Sequence, residues 1–227
     1  MWRSLRRWWL GWQKPQMTAA LRQFNERMQT ETQRGTHTEF MDSLSPSEAR
    51  AYLAAFDRWL VRKNSEVTAE DYYWRSMLLN YFFPDPRQEE ADLRCAVALD
   101  PGNVDIWVSL GHMAAERKQW SEAIENYEAG IKAEPQNFFP WYGRAMVYMN
   151  LRRFEEALQD INTAITIHPH LAYGYEMRGR IYDAIGDFEK AVSDLDCAVQ
   201  SSAARPDTQR LRDELRRKLE RKNSGGC

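Results

Sequence analysis

From Glu70 to Ala203, apolar and small residues return in fixed columns every 34 residues. With segments begun at Glu70, Val104, Phe138 and Ala172, the fourth column reads Tyr73, Trp107, Trp141 and Tyr175. The twenty-fourth is apolar throughout: Leu93, Tyr127, Ile161 and Leu195. Small residues hold the eighth column as Gly111, Ala145 and Gly179, and the twentieth as Ala123, Ala157 and Ala191. They also hold the twenty-seventh, as Ala96, Gly130, Ala164 and Ala198. The thirty-second column is Pro101, Pro135, Pro169 and then Ala203. Large residues set beside small ones at a constant period predict pairs of antiparallel helices. Such pairs must stack, because one pair cannot bury its apolar faces alone. The proline stops the second helix, since it lacks an N–H and disfavours helical geometry in the residue before it.

At these residues the chain resembles the tetratricopeptide repeat (TPR) family. The second and third segments carry the pattern best, through Trp107, Leu110, Gly111, Ala123, Tyr127 and Pro135, then Trp141, Ala145, Tyr148, Ala157, Ala164 and Pro169. The fourth adds Gly179, Tyr182, Gly186, Phe188 and Ala191. The first departs from it, with Met77 and Glu89 at small-residue columns and Pro84-Asp85-Pro86 in its turn. The resemblance implies an all-α, TPR-type α-solenoid of helix–turn–helix repeats, with extra N-terminal helices and a C-terminal capping helix. The expected organisation is an amphipathic helix at 1–15 and N-terminal helices at 16–69. Four repeats follow at 70–103, 104–137, 138–171 and 172–205, then a capping helix and tail at 206–227.

Outside the repeats the periodicity changes. On a helix, Trp2, Leu5, Trp8, Trp9 and Trp12 share one arc of about 120°, with Arg3, Arg6, Arg7 and Lys14 opposite. Three readings stay open for this stretch. It could rest in an anionic membrane interface, with indoles at headgroup level. It could dock into a groove on a partner or on this chain. Or it could cap the first repeat. Residues 17–34 read as a polar helix with Met17, Leu21, Phe24 and Met28 on one stripe, and Gly35 to Leu44 as a loop. Ser45-Pro46-Ser47-Glu48 is a helix start that buries Ala49, Tyr52, Leu53, Phe56, Trp59 and Leu60. The helices at 17–34 and 46–63 could pair as a degenerate fifth repeat. Thr68-Ala69-Glu70-Asp71 is a second start of the same kind. Pro206 and Asp207 open a last, highly charged helix whose only apolar residues are Leu211, Leu215 and Leu219.

The net charge of -2 conceals basic ends on an acidic body. That balance suits a solvated surface more than a nucleic-acid footprint, and no nucleic-acid partner is expected. Cys95 and Cys197 fall in one column of the first and fourth repeats and read as small buried packing. The chain holds no phosphate loop, HExxH or nucleophile elbow. His168-Pro169-His170 lacks further ligands nearby. No enzyme activity, metal or cofactor is expected.

In the family, the first helix of each repeat lines the inner face. The resemblance places Trp74, Leu78, Tyr81 and Phe82 there from the first repeat, and His112 from the second. It adds Phe139, Tyr142, Met146 and Met149 from the third, and Tyr173 and Arg180 from the fourth. One mode known in the family clamps a C-terminal carboxylate with lysine and asparagine, and those residues are missing from the matching columns. An aromatic and methionine-lined trough suits an apolar helix or extended segment of a protein partner. Its competing occupant is the chain's own N-terminal helices, since exposed apolar surface of that extent is uncommon. The expected function is a non-enzymatic interaction scaffold in the cytoplasm, tethered peripherally to a membrane by residues 1–15. The alternative is a soluble chaperone that shields an apolar segment of a client.

Overall fold

The computed structural model describes residues 19–32, 37–61, 67–200 and 206–224, which form helices and turns with no strand among them. The Trp- and Arg-rich stretch at 1–15 and Cys227 lie outside the described residues. The chain divides into two units, Met1–Leu110 and Gly111–Cys227.

The first unit holds α1 (Ala19–Thr32), α2 (His37–Ser43), α3 (Pro46–Leu60), α4 (Ala69–Phe82) and α5 (Pro86–Leu99). α6 (Val104–Glu116) carries the division between the units. Helix starts follow from local chemistry. Ser45 N–H donates to Glu48 Oε2 at 2.8 Å, completing a capping box ahead of Pro46. Asp71 takes the Thr68 N–H at 2.8 Å and also the Trp59 indole N–H at 3.1 Å, which joins the start of α4 to the end of α3. Asp85 caps α5 by accepting from the N–H groups of Arg87 and Gln88. The core is aromatic and centred on Phe24 of α1. Its ring meets Phe40, Tyr52, Phe56 and Trp74 edge-on, at centroid distances of 5.3, 5.0, 5.5 and 5.9 Å. Edge-to-face pairs of this kind are each worth roughly 0.5–1.5 kcal/mol beyond the area they bury.

The expected loop from Gly35 to Leu44 instead contains α2. With only Phe40, Met41 and Leu44 apolar, this segment has no helical stripe of its own. Tertiary contacts hold it, because Phe40 and Met41 are wholly buried against α1, α3 and α4.

The second unit holds the rest of α6, then α7 (Trp120–Ala133), α8 (Phe138–Asn150), α9 (Phe154–Ile167), α10 (Ala172–Ile185), α11 (Phe188–Val199) and α12 (Pro206–Ser224). The small columns are filled from across the helix pair. A Cβ on Gly111 would stand 2.6 Å from Tyr127 Cε1, and one on Gly143 2.4 Å from the same atom. The Tyr127 ring is therefore wedged between α6 and α8, and it is fully buried. α10 ends at Gly186, whose φ of 90° is the left-handed geometry that glycine adopts most cheaply. The matching turns after α6 and α8 place Lys118 and Arg152 in that region, at φ 59° and 58°.

A second periodic device ties the helices together. Arg144 grips Asp160 through Nε at 2.7 Å and Nη2 at 2.8 Å, then reaches Glu128 on α7 at 3.3 Å. One repeat on, Arg178 grips Asp194 at 2.8 and 2.7 Å and reaches Asn162 on α9 at 2.6 Å. In the first unit Arg75 does the same with Asp92 and Asp57. Each arginine joins its own partner helix and the preceding one with the planar, two-pronged geometry that lysine cannot supply.

α12 continues this pattern. Thirty-four residues beyond Arg178 stands Arg212, and it lies 3.8 Å from Asp196, while Arg216 bonds Asp196 at 2.7 Å. Leu215, in the buried column of Ile181, is fully buried against α11. α12 thus stands in the register of the first helices of the pairs, and its remaining faces are charged.

Cys95 and Cys197 are exposed free thiols, contrary to the buried packing expected of them. They precede the small buried residues Ala96 and Ala198 by one position, and a step of about 100° turns them outward.

Candidate protein-binding face

The first helix of each pair presents columns two, five, nine and twelve, spaced to share one face. In the first unit that face is covered. Trp74 and Leu78 are buried in the core built by α1, α2 and α3. The Phe40 ring of α2 meets Trp74 at 6.4 Å, and Tyr81 O–H donates to Asp42 at the end of α2. Phe82 is half-buried against the same cluster. The occupant of this part of the expected trough is therefore the chain itself.

In the second unit the same face of α8 and α10 carries aromatic rings and methionines that are only partly buried. Phe139 is 42% exposed, unusual for so large an apolar side chain. Phe138 stacks on it at 4.2 Å and also meets Tyr173 at 6.2 Å and His168 at 5.1 Å. Tyr142 meets Tyr173 edge-on at 5.1 Å. Tyr142, Met146, Met149 and Tyr173 are half-buried, with their inner sides on the core of Ala145, Ile161 and Ile165. Burial, and then the neighbouring Tyr142, push the Tyr173 phenol up to about 12, so this row stays uncharged at neutral pH.

A polar edge closes the row on α10. Arg180 donates through Nε and Nη2 to Glu176 Oε1 at 3.1 and 3.0 Å. Glu176 is buried, and its other oxygen accepts from Thr208 O–H of α12 at 2.8 Å. The arginine is thereby fixed, with its side chain 43% exposed.

His112 of α6 stands apart from these rings. Its Nδ1 lies 3.2 Å from the Tyr127 hydroxyl. The residue's surface is open, yet surrounding atoms crowd the ring, and desolvation holds its pKa below the usual histidine range against the opposing charge of Glu116. A neutral ring there shares a hydrogen bond with the tyrosine hydroxyl, its direction set by the tautomer.

Of the residues expected on one trough, the structure joins Phe139, Tyr142 and Tyr173 through ring contacts, with Met146 and Met149 packed on the same core. It withdraws Trp74 and Leu78 into a core. Phe138 and Thr208 were not expected to matter. The run Phe138-Phe139-Pro140-Trp141-Tyr142 was the available signal for the first. Nothing in the sequence pairs Glu176 with Thr208, thirty-two residues on. Among the described residues no three His, Cys, Asp or Glu side chains gather as a metal ion would require. No helix among them is long and apolar enough to cross a membrane.

Residues 139–171 match one family model described as tetratricopeptide repeat, and residues 172–204 match a second with the same description. No curated protein matches the chain in sequence. Among solved structures, MamA is similar over 68% of this chain and 88% of its own, with TM-score 0.60 and 18% identity. MamA residues 41 to the end from Desulfovibrio magneticus RS-1 is similar over 81% of this chain and 96% of its own, with TM-score 0.61 and 18% identity. The first TPR of Spaghetti (RPAP3), solved with the HSP90 peptide SRMEEVD, is similar over 53% and 96%, with TM-score 0.51 and 22% identity. At these identities the likeness is one of fold.

Proposed function

This chain is a tetratricopeptide repeat protein, and from that premise we propose that it is a non-enzymatic scaffold binding an apolar helix or extended segment of a protein partner on α8 and α10. One observation carries the reading: Phe139 is exposed at the end of a row of packed aromatic rings, Phe138, Tyr173 and Tyr142, beside two half-buried methionines. Apolar surface presented this way gains free energy when a partner covers it, at about 25 cal/mol per Å². Methionine adds the freedom to repack around different side chains. A solved repeat domain of this fold, from RPAP3, holds a peptide, which supports such a use of the fold.

The test is capture of partner proteins by the full chain and by its Phe139→Ala, Tyr142→Ala variant, each also measured by circular dichroism. Loss of the captured set with an unchanged spectrum supports the reading. Equal capture rejects the face as the site.

Residues 1–15 supply the second element of the proposal, a peripheral tether. Four tryptophans opposite four cations suit an anionic interface. Deleting them abolishes co-sedimentation with vesicles containing phosphatidylserine and leaves partner capture intact. Equal sedimentation of the shortened chain refutes the tether.

A further inference from the structure

Three turns of the second unit, after α6, α8 and α10, close in the same way. The N–H groups of Gln119, Arg153 and Asp187 reach back to the carbonyls of Ala114, Tyr148 and Tyr182, each at 2.9 Å. Those of Lys118, Arg152 and Gly186 reach back to Ala115, Met149 and Asp183, at 2.9, 3.0 and 3.0 Å. This is the Schellman closure, which sets one residue of the turn at positive φ. Gly186 meets that demand at no steric cost. The other two turns meet it with Lys118 and Arg152, at φ 59° and 58°. Backbone strain kept where glycine would close the turn is a pointer to use of the side chain.

Both side chains are exposed, and neither has a partner among the described residues. Neighbouring cations are engaged. Arg153 pairs with Glu156 at 2.7 Å and lies over the Tyr148 ring, and Lys190 pairs with Asp187 at 2.7 Å. A cation near a helix C-terminus gains from the dipole, but Arg117 and Arg153 already stand at these two ends. Lys118 and Arg152 hold one place in successive repeats, thirty-four residues apart. Their helices, α6 and α8, both close on the Tyr127 ring through Gly111 and Gly143 and so pack side by side. Axes of packed helices stand about 8–10 Å apart. An extended chain sets alternate side chains on one side about 7 Å apart, within reach of two flexible cationic arms at that separation.

We infer that this edge of the second unit binds an acidic segment of a protein partner, with one carboxylate on Lys118 and a second on Arg152. The charge pattern selects a peptide over an anionic membrane. Residues 116–122 hold two acids and two bases, as do residues 151–156, so neither turn presents a net field to a uniformly charged surface. Carboxylates spaced along a chain reach the two unpaired cations singly. Thirteen residues of α8 separate Phe139 from Arg152, about 20 Å of helix, so the edge is distinct from the aromatic row and does not depend on it.

The probe is the capped peptide Gly-Glu-Ala-Glu-Gly, with a one-acid version, Gly-Glu-Ala-Gln-Gly, and a neutral one, Gly-Gln-Ala-Gln-Gly. Each is titrated at millimolar concentration and low salt into the full chain labelled with nitrogen-15. The expected result is a saturable shift of the amides at 117–119 and 151–153 with the two-acid peptide, and none around Gly186. The one-acid peptide binds about two- to fivefold more weakly, as for loss of one exposed ion pair. The neutral peptide gives no saturable shift, and added salt weakens the two-acid peptide. The Lys118→Gly, Arg152→Gly chain loses the shifts and unfolds at higher urea, because glycine relieves both turns.

Equal binding of the acidic and neutral peptides overturns the inference, as does a double variant that still binds. Shifts spread over other exposed cations, such as Arg210 and Arg217 of α12, without preference for the two turns, overturn it too. A double variant with a lower urea midpoint shows that the two side chains serve the helix ends, and the inference falls. Sedimentation of the chain lacking residues 1–15 with phosphatidylserine vesicles, lost in the double variant, assigns the edge to a membrane and also overturns it. None of these outcomes bears on capture by the Phe139→Ala, Tyr142→Ala variant, which judges the aromatic row separately.

Discussion

Arg144→Met separates an ion pair that binds helices from one that merely decorates a surface. Asp160 is 2% exposed, and both its oxygens are held by Arg144. Removing the guanidinium leaves a buried carboxylate with its strongest partner gone, which in other proteins costs about 3–5 kcal/mol. The Arg144 side chain is 16% exposed, so water reaches the gap and the lower end applies, about 3 kcal/mol. The bond to Glu128 is lost too, and with it a link between α7 and α8. In a domain of this size that corresponds to a fall in Tm of about 6–12 °C. Urea unfolding followed by far-ultraviolet circular dichroism and by tryptophan fluorescence measures it, with both probes needed because repeat arrays can unfold in parts. The double variant Arg144→Met, Asp160→Leu removes both charges. It should recover most of the loss, giving a coupling of about 2 kcal/mol or more, because an apolar pair replaces a buried ion pair at little cost. Arg216→Met at the exposed Asp196 pair should leave the midpoint nearly unchanged. An Arg144→Met chain with the native midpoint, or a double variant no better than the single, refutes the reasoning.

Gly143→Ala should destabilise: its Cβ would meet the Tyr127 ring at 2.4 Å, and overpacking of about 1–3 kcal/mol exceeds the roughly 1 kcal/mol gained in helix propensity. Tyr127→Leu in the same chain should relieve the clash, read as non-additive urea midpoints. Lys118→Gly and Arg152→Gly should each raise stability by about 0.5–1 kcal/mol, since both residues hold a left-handed backbone. His112 has a depressed pKa in the fold, so the unfolded chain binds its proton more readily. Its contribution is therefore fully present above about pH 6.5 and is lost as pH falls through the lower folded value. His112→Gln should flatten the stability profile in that window, and a profile unchanged by the substitution counts against the assignment.

The repeat array was legible because its signal is one of register. Gly111, Tyr127 and Pro135 recur as Ala145, Ile161 and Pro169, and the packing they imply is local to a helix pair. α2 was not legible, because Phe40 and Met41 form no stripe until Phe24 and Trp74 surround them. The same long-range packing withdrew Trp74 and Leu78 from the surface where their columns alone would place them. The arginine clamps were within reach of sequence reasoning. Arg144 and Arg178 recur with Asp160 and Asp194 at one spacing, but attention to apolar columns passes over charged ones. Arg212 and Leu215 continue the period into α12, where a highly charged composition hides them.

The binding face is tested most directly by a photo-crosslinking residue, p-benzoylphenylalanine, placed at Phe139 in the full chain and, separately, at the still more exposed Leu99 of the first unit. Irradiation in extract, read by mass spectrometry, should give discrete protein adducts from position 139, lost when Tyr142→Ala is added, and none of them from position 99. The same adducts from both positions, or adducts at 139 indifferent to Tyr142, would contradict the aromatic face of α8 and α10 as the place where this protein meets its partner.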